Sequence, residues 1–251
     1  MNEYFGSIRT EAASGIPPLS TEQTKYFGGE ERIAHGSGNT MVLAFPGSSS
    51  LTGSYYKAEI SVLAALLGGK TTIKWSPGFS ILGQVAAKVP GVNISTTSAI
   101  YSDAGLLYVT LEGSATSVKE AAASTVKAIQ ELANGKIDQE QFTKARALAK
   151  FKELEYGQNT MAALELTGAG LVSDGKPYQL DDSATKIGEV TAEQVQEVSF
   201  ITFVRFELGM LIIPHYRLRR HCWSSRLQFL LLVIYGSCHM LATLVFRYRR
   251  C

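Results

Sequence analysis

Residues 1–199 of this 251-residue chain contain no cysteine, which excludes a disulfide scaffold or a thiolate metal centre there. They contain one histidine, His35, and no His-x-x-Glu-His stretch, so a helix-borne zinc hydrolase site has no ligands to use. Nothing near the N-terminus pairs a basic region with an apolar run. Met1–Ser20 carries Glu3 and Glu11 against Arg9, so neither a secretory signal nor a mitochondrial presequence is expected there. The last 52 residues lack lysine altogether, and between Arg226 and Arg247 there is no charged residue.

These gaps divide the chain. Residues 1–199 hold 16 basic against 21 acidic side chains, a balance of −5; residues 200–251 hold 8 Arg against Glu207, a balance of +7. All three cysteines and three of the four histidines fall in the second part. The acidic body argues against nucleic acid as its partner.

What the body does have is periodicity. Residues 1–24, with Gly15-Ile16-Pro17-Pro18, read as a linker. Two short apolar stretches flank Gly36-Ser37-Gly38-Asn39 and predict a hairpin. Gly47–Ser50 reads as a solvated loop leading into a helix over 54–67, ended by Gly68-Gly69. A short helix is expected over 78–88. Val92, Ile94, Thr96, Ser98 and Ile100 alternate, Ser102–Gly105 turns the chain, and Leu107, Val109 and Leu111 alternate back. A stripe of Val118, Ala122, Thr125, Ile129 and Leu132 predicts a helix over 115–133, closed by Asn134-Gly135. Asp138 and Gln141 resemble a capping box for a helix over 139–156, and further helices are expected at 160–172 and 191–198. The order gives an α+β fold, a largely antiparallel sheet with helices on one face, spanning residues 25–199.

"KYFGGEERIAHGSGNTMVLAF", "KWSPGFSILGQVAAKVPGVNISTTSAIYSDAGLLYVTLEG" and "IDQEQFTKARALAKFKELE" together resemble the second core subunits of fungal mitochondrial ubiquinol–cytochrome c reductase. Those subunits belong to the pitrilysin-like superfamily, with the mitochondrial processing peptidase. The resemblance covers roughly residues 10–199 and only the second of the family's two domains. It implies a non-catalytic structural and assembly subunit without cofactor or metal of its own. It also implies the first core subunit and the other subunits of the complex as partners, and a place on the matrix side of the mitochondrial inner membrane. Two other readings stay open: a non-catalytic part of a processing peptidase, and a single-pass membrane protein with an α+β head.

No residue is assigned a catalytic, cofactor or metal role. His35 beside its Gly/Ser turn reads as an exposed turn residue. Gly69-Lys70-Thr71 imitates the end of a phosphate loop, but Ala64 stands where the first glycine is required. Asn93-Ile94-Ser95 is a formal glycosylation acceptor inside a strand. Ser48, Ser49 and Ser50 have no base at a suggestive position. His215, His221, Cys222, Cys238 and His239 match no zinc spacing.

At Ser199 the resemblance stops, although the family continues with a last strand and a final helix. Residues 200–251 are expected to be unrelated to the domain and to leave one sheet edge open. Translated non-coding sequence is the leading reading, because Val198-Ser199 is what an in-frame GTAAGT would encode. A membrane anchor over Leu227–Phe246, long enough to span, and a rearranged domain end are the rivals.

Overall fold

The computed structural model describes Gln23, Thr24, Tyr26, Gly29 and residues 31–34, 38–53, 55–69, 78–173, 175–211 and 228–231. Its strands are β1 (Glu31–Ala34), β2 (Asn39–Pro46), β3 (Val92–Ile100), β4 (Gly105–Gly113) and β5 (Gln228–Leu231). Its helices are α1 (Ala58–Leu67), α2 (Ile81–Lys88), α3 (Ala115–Ala133), α4 (Gln139–Gly157), α5 (Thr160–Ser173), α6 (Leu180–Glu189) and α7 (Ala192–Leu211).

The sheet runs β1-β5-β2-β4-β3. Its centre is the antiparallel set β2–β4–β3, whose register puts Met41 opposite Leu111, Leu43 opposite Val109 and Phe45 opposite Leu107. Period-two alternation sends those six side chains, with Ile94 of β3, to one face, where all are buried. Helices α1 and α3 pack against that face with Ile60, Leu63, Leu67, Ile129 and Leu132, and α7 adds Val195 to the same core. The opposite face carries half-buried Thr40, Val42, Ala44, Tyr108 and Thr110. The expected α+β class and the 92–113 hairpin are therefore present.

Caps account for the helix limits. Ser114 opens α3 by accepting from Ser117 N–H at 3.1 Å, and Asp138 opens α4 by accepting from Glu140 N–H at 3.2 Å. Gly68 ends α1 with φ 56° and donates its N–H to the Ala64 carbonyl. Gly69 then runs against β3, where an added Cβ would lie 2.3 Å from the Ile94 carbonyl oxygen. Ser80 closes the gap, its hydroxyl lying 3.3 Å from both Gly69 N–H and Gly69 C=O. Gly68-Gly69 is thus a helix end pressed on a strand; Lys70 and Thr71 lie outside the described residues.

Four expectations are corrected. First, β1 and β2 do not form the predicted two-stranded hairpin, because β5 is inserted between them, antiparallel to β1 and parallel to β2 at Met41–Leu230. Second, β2 is not left without a neighbour on the side away from β4: β5 pairs there, parallel to β2 and antiparallel to β1. Its four residues, QFLL, are extended; the rest of Leu227–Phe246 lies outside the described residues, among which no helix is long and apolar enough to cross a membrane. Third, Ser48 and Ser49 are not solvated; both are fully buried. Ser48 Oγ accepts from Lys57 N–H at 2.7 Å, which fixes the chain before α1 and delays that helix to Ala58. Fourth, α7 does not stop at 198. It runs unbroken to Leu211, and Ser199 is buried with its hydroxyl donating to the Val195 carbonyl at 2.7 Å. Helix α6 was not anticipated; Ser183, Ala184 and Ile187 form its buried face.

Candidate functional site: a polar junction and an apolar helix face

The sequence lures scatter. Asn93 is exposed on β3, and its amide donates to Glu112 Oε2 at 3.4 Å across the hairpin. The Ser48 and Ser49 hydroxyls bind backbone groups, and Ser50 Oγ pairs with Thr52 Oγ1 at 3.2 Å. His35, His215, His221, Cys222, Cys238 and His239 lie outside the described residues. Among the described residues no three His, Cys, Asp or Glu side chains come together as metal ligands. A small recess beneath α7, lined by Phe45, Leu63, Leu67, Leu107, Ile129, Leu132 and Ser199, is almost wholly apolar and belongs to the core.

The tertiary fold builds one polar cluster that no spacing rule would find. Glu153 of α4 accepts at Oε1 from Tyr178 O–H at 2.6 Å and from Ser183 O–H at 2.7 Å. Tyr178 precedes α6 and Ser183 lies in it, so one carboxylate ties α4 to α6. Tyr56, just before α1, brings its hydroxyl to the same group, buried and without a hydrogen-bond partner. Lys186 Nζ lies 5.7 Å from the Tyr56 ring centroid, within cation–π range.

The chemistry of this junction is that of a clamp. Burial pushes the Tyr56 hydroxyl up to about 12; the nearby Ser183 hydroxyl opposes the shift and the Glu153 charge adds to it. Burial also raises Tyr178, reinforced by its hydrogen bond to Glu153 and by that residue's charge. A phenol driven upward stays protonated at neutral pH and offers neither a base nor a nucleophile.

Folded Tyr56 holds its proton to higher pH than the unfolded phenol near 10. Its contribution is complete below pH 10 and is lost as pH rises through about 12, a loss of about 2–3 kcal/mol. Tyr56→Phe should flatten that alkaline fall while leaving stability at pH 7 equal or higher, because a buried orphan hydroxyl is removed. Urea midpoints from pH 8 to pH 12 read this directly; parallel declines in both proteins would refute it.

A second feature is apolar. Helix α5 exposes Met161, Leu164, Leu171 and Val172, and α4 exposes Phe151 and Tyr156. The spacing 161, 164, 171 was present in the sequence. It was missed because a helix prediction assigns a stripe to the core unless tertiary contacts say otherwise.

Two of the described residues before β1 are tied to the sheet and its turn. Thr24 donates from its N–H to Asp103 Oδ2 at 3.0 Å and from its hydroxyl to the same oxygen, which holds the Asp103 carboxyl below the usual carboxylate range. Tyr26 O–H donates to the Ala44 carbonyl of β2 at 2.8 Å.

The fold and these residues can be placed among known proteins. Residues 1–148 match the family described as "Peptidase M16 inactive domain". Cytochrome b-c1 complex subunit 2, mitochondrial, of Neurospora crassa is 41% identical over 178 residues, covering 71% of this chain and 38% of that protein. The Cryptococcus neoformans protein of the same name is 33% identical over 187 residues, covering 72% and 40%. The chain thus spans about two fifths of the length of these curated relatives. Among solved structures, one described as complex III2 from Candida albicans with Inz-5 bound is similar, with TM-score 0.53 and 19% identity, covering 66% of this chain and 42% of that one. A protease from Helicobacter pylori matches with TM-score 0.54 and 14% identity over 80% and 48% of the two chains. A model match over more than half of the chain, on a sheet with helices packed on one face, makes this protein a member of the peptidase M16 inactive-domain family.

Proposed function

We propose that the chain is the second-half domain of core subunit 2 of the mitochondrial cytochrome b-c1 complex, acting as a non-catalytic structural and assembly element. The observation that carries this is the 41% identity to the Neurospora crassa subunit, distributed over 178 residues rather than confined to a motif. The chemistry agrees: the polar junction clamps helices, and the matched family is the inactive domain. Its partners would be the first core subunit and the remaining subunits of the complex, on the matrix side of the mitochondrial inner membrane. Membrane association would come through those partners. The family match and both named relatives point away from a processing-peptidase or single-pass-anchor reading.

Blue-native separation tests the assignment. A tagged copy of the chain, fitted with a mitochondrial targeting sequence and produced in Neurospora crassa, should co-migrate with cytochrome b. Migration only as free chain, with the endogenous subunit depleted, would overturn it.

A further inference from the structure

Helix α5 turns a thin side toward the domain and its bulk toward solvent. Ala162 is buried, and Gly170 meets Thr52 and the Lys176 backbone. Facing outward are Met161, Leu164, Leu171 and Val172, exposed by 74%, 64%, 52% and 90%. Glu165 is the helix's one charged residue among fourteen, too few for a solvated face. Met161, Leu164, Gly168 and Leu171 follow the alternating three- and four-residue spacing of a helix-packing seam. Gly168, at its middle, has nothing within 4 Å of an added Cβ, so a second backbone can approach closely there.

The position of this seam identifies what covers it. Through Gly170 the C-terminal end of α5 abuts Thr52, a Cβ on Gly170 lying 2.9 Å from Thr52 Cγ2. The Thr52 loop is joined to the β3–β4 turn by Ser50 N–H donating to the Tyr101 carbonyl at 2.7 Å. That turn holds Thr24 through Asp103. Thr24 is therefore linked, through the β3–β4 turn and the Thr52 loop, to the C-terminal end of α5, and Tyr55 and Tyr101 of these loops are exposed. The curated relatives carry about three fifths of their length outside the matched region.

We propose that the outer face of α5 is the seat of an apolar helix supplied by the polypeptide that precedes residue 24 in the longer relatives. This rests on reading the chain as the second half of such a subunit.

Cysteine labelling tests it. Residues 1–199 hold no cysteine, so Cys222→Ser, Cys238→Ser and Cys251→Ser give the full chain a silent background. Met161→Cys, Val172→Cys and, as a control on exposed α4, Glu140→Cys are introduced singly. Each is made in this chain alone and in the chain fused behind the Neurospora crassa residues that precede the matched segment. A maleimide should label positions 161 and 172 roughly tenfold more slowly in the fusion, with position 140 unchanged. Equal rates would overturn the proposal. So would slowing in the lone chain with rising concentration, which means a second copy, or slowing only when other subunits are added. If the fusion is not recovered folded, the same labelling at the aligned positions of the Neurospora crassa subunit decides it, fast labelling there being the overturning result. Failure of co-migration with cytochrome b would leave this readout untouched, because labelling reports packing within one polypeptide.

Discussion

Gly105→Ala is expected to lower stability by more than about 3 kcal/mol, enough to unfold a marginal domain. An added Cβ would lie 2.0 Å from the Ser48 carbonyl oxygen and 2.7 Å from that of Ala99. Both are backbone atoms, and neither can rotate aside. Gly47 N–H is held to the Gly105 carbonyl at 2.8 Å, and Ser48 Oγ holds Lys57 N–H at 2.7 Å. Moving Ser48 therefore disturbs β4 and the start of α1 together. Gly168→Ala is the matched control, since its Cβ would meet open space in a helix interior. It should stabilise by about 0.5–1 kcal/mol through helix propensity. Urea denaturation of both variants measures the contrast. A Gly105→Ala protein within about 0.5 kcal/mol of the parent would show that the close approach is not required.

Phe142→Ala should cost about 3–5 kcal/mol. Phe142 is 2% exposed in the first turn of α4 and is among the largest buried side chains. The Arg146 guanidinium lies 5.5 Å from its ring centroid and donates to the Val190 carbonyl at 3.2 Å. Truncation leaves a cavity and also removes the ring that steadies Arg146 against the end of α6. Phe151→Ala, nine residues along the same helix, removes a ring that is 58% exposed and should change stability by less than about 0.5 kcal/mol. Equal losses at the two positions would contradict the packing described for α4.

Local rules read well where one element decides its own fate. Strands β3 and β4 were legible because alternation over 92–100 and 107–111 flanks a Ser-Asp-Ala-Gly turn, and α3 because its apolar stripe ends at an Asn-Gly stop. Legibility failed where a partner from elsewhere decides. The 31–46 region carries a hairpin signal, yet β5 separates its strands, and only a distant segment could supply it. Ser48 and Ser49 look like loop residues by type, but their hydroxyls replace water with backbone partners, so they bury. Helix α7 runs past Ser199, where the family resemblance had stopped, so the end of the resemblance did not mark the end of the element.

The site follows the same division. The chain's partial zinc, phosphate-loop and triad spacings are decoys, because such motifs place their chemistry within a few residues of sequence. The Tyr56–Glu153–Tyr178–Ser183 junction has no such spacing and exists only once α1, α4 and α6 are packed.

By itself the sequence determined the α+β class, the hairpin of β3 and β4, the capped helices α3 and α4, and the family to which the chain belongs. These follow from periodicity, capping and distributed identity, all carried by the order of residues. Only the tertiary structure decided which apolar residues of α5 face solvent, which hydroxyls are buried, and where the chain before β1 is tied. Burial and close approach are properties of pairs of elements, and no single segment can specify its own neighbour.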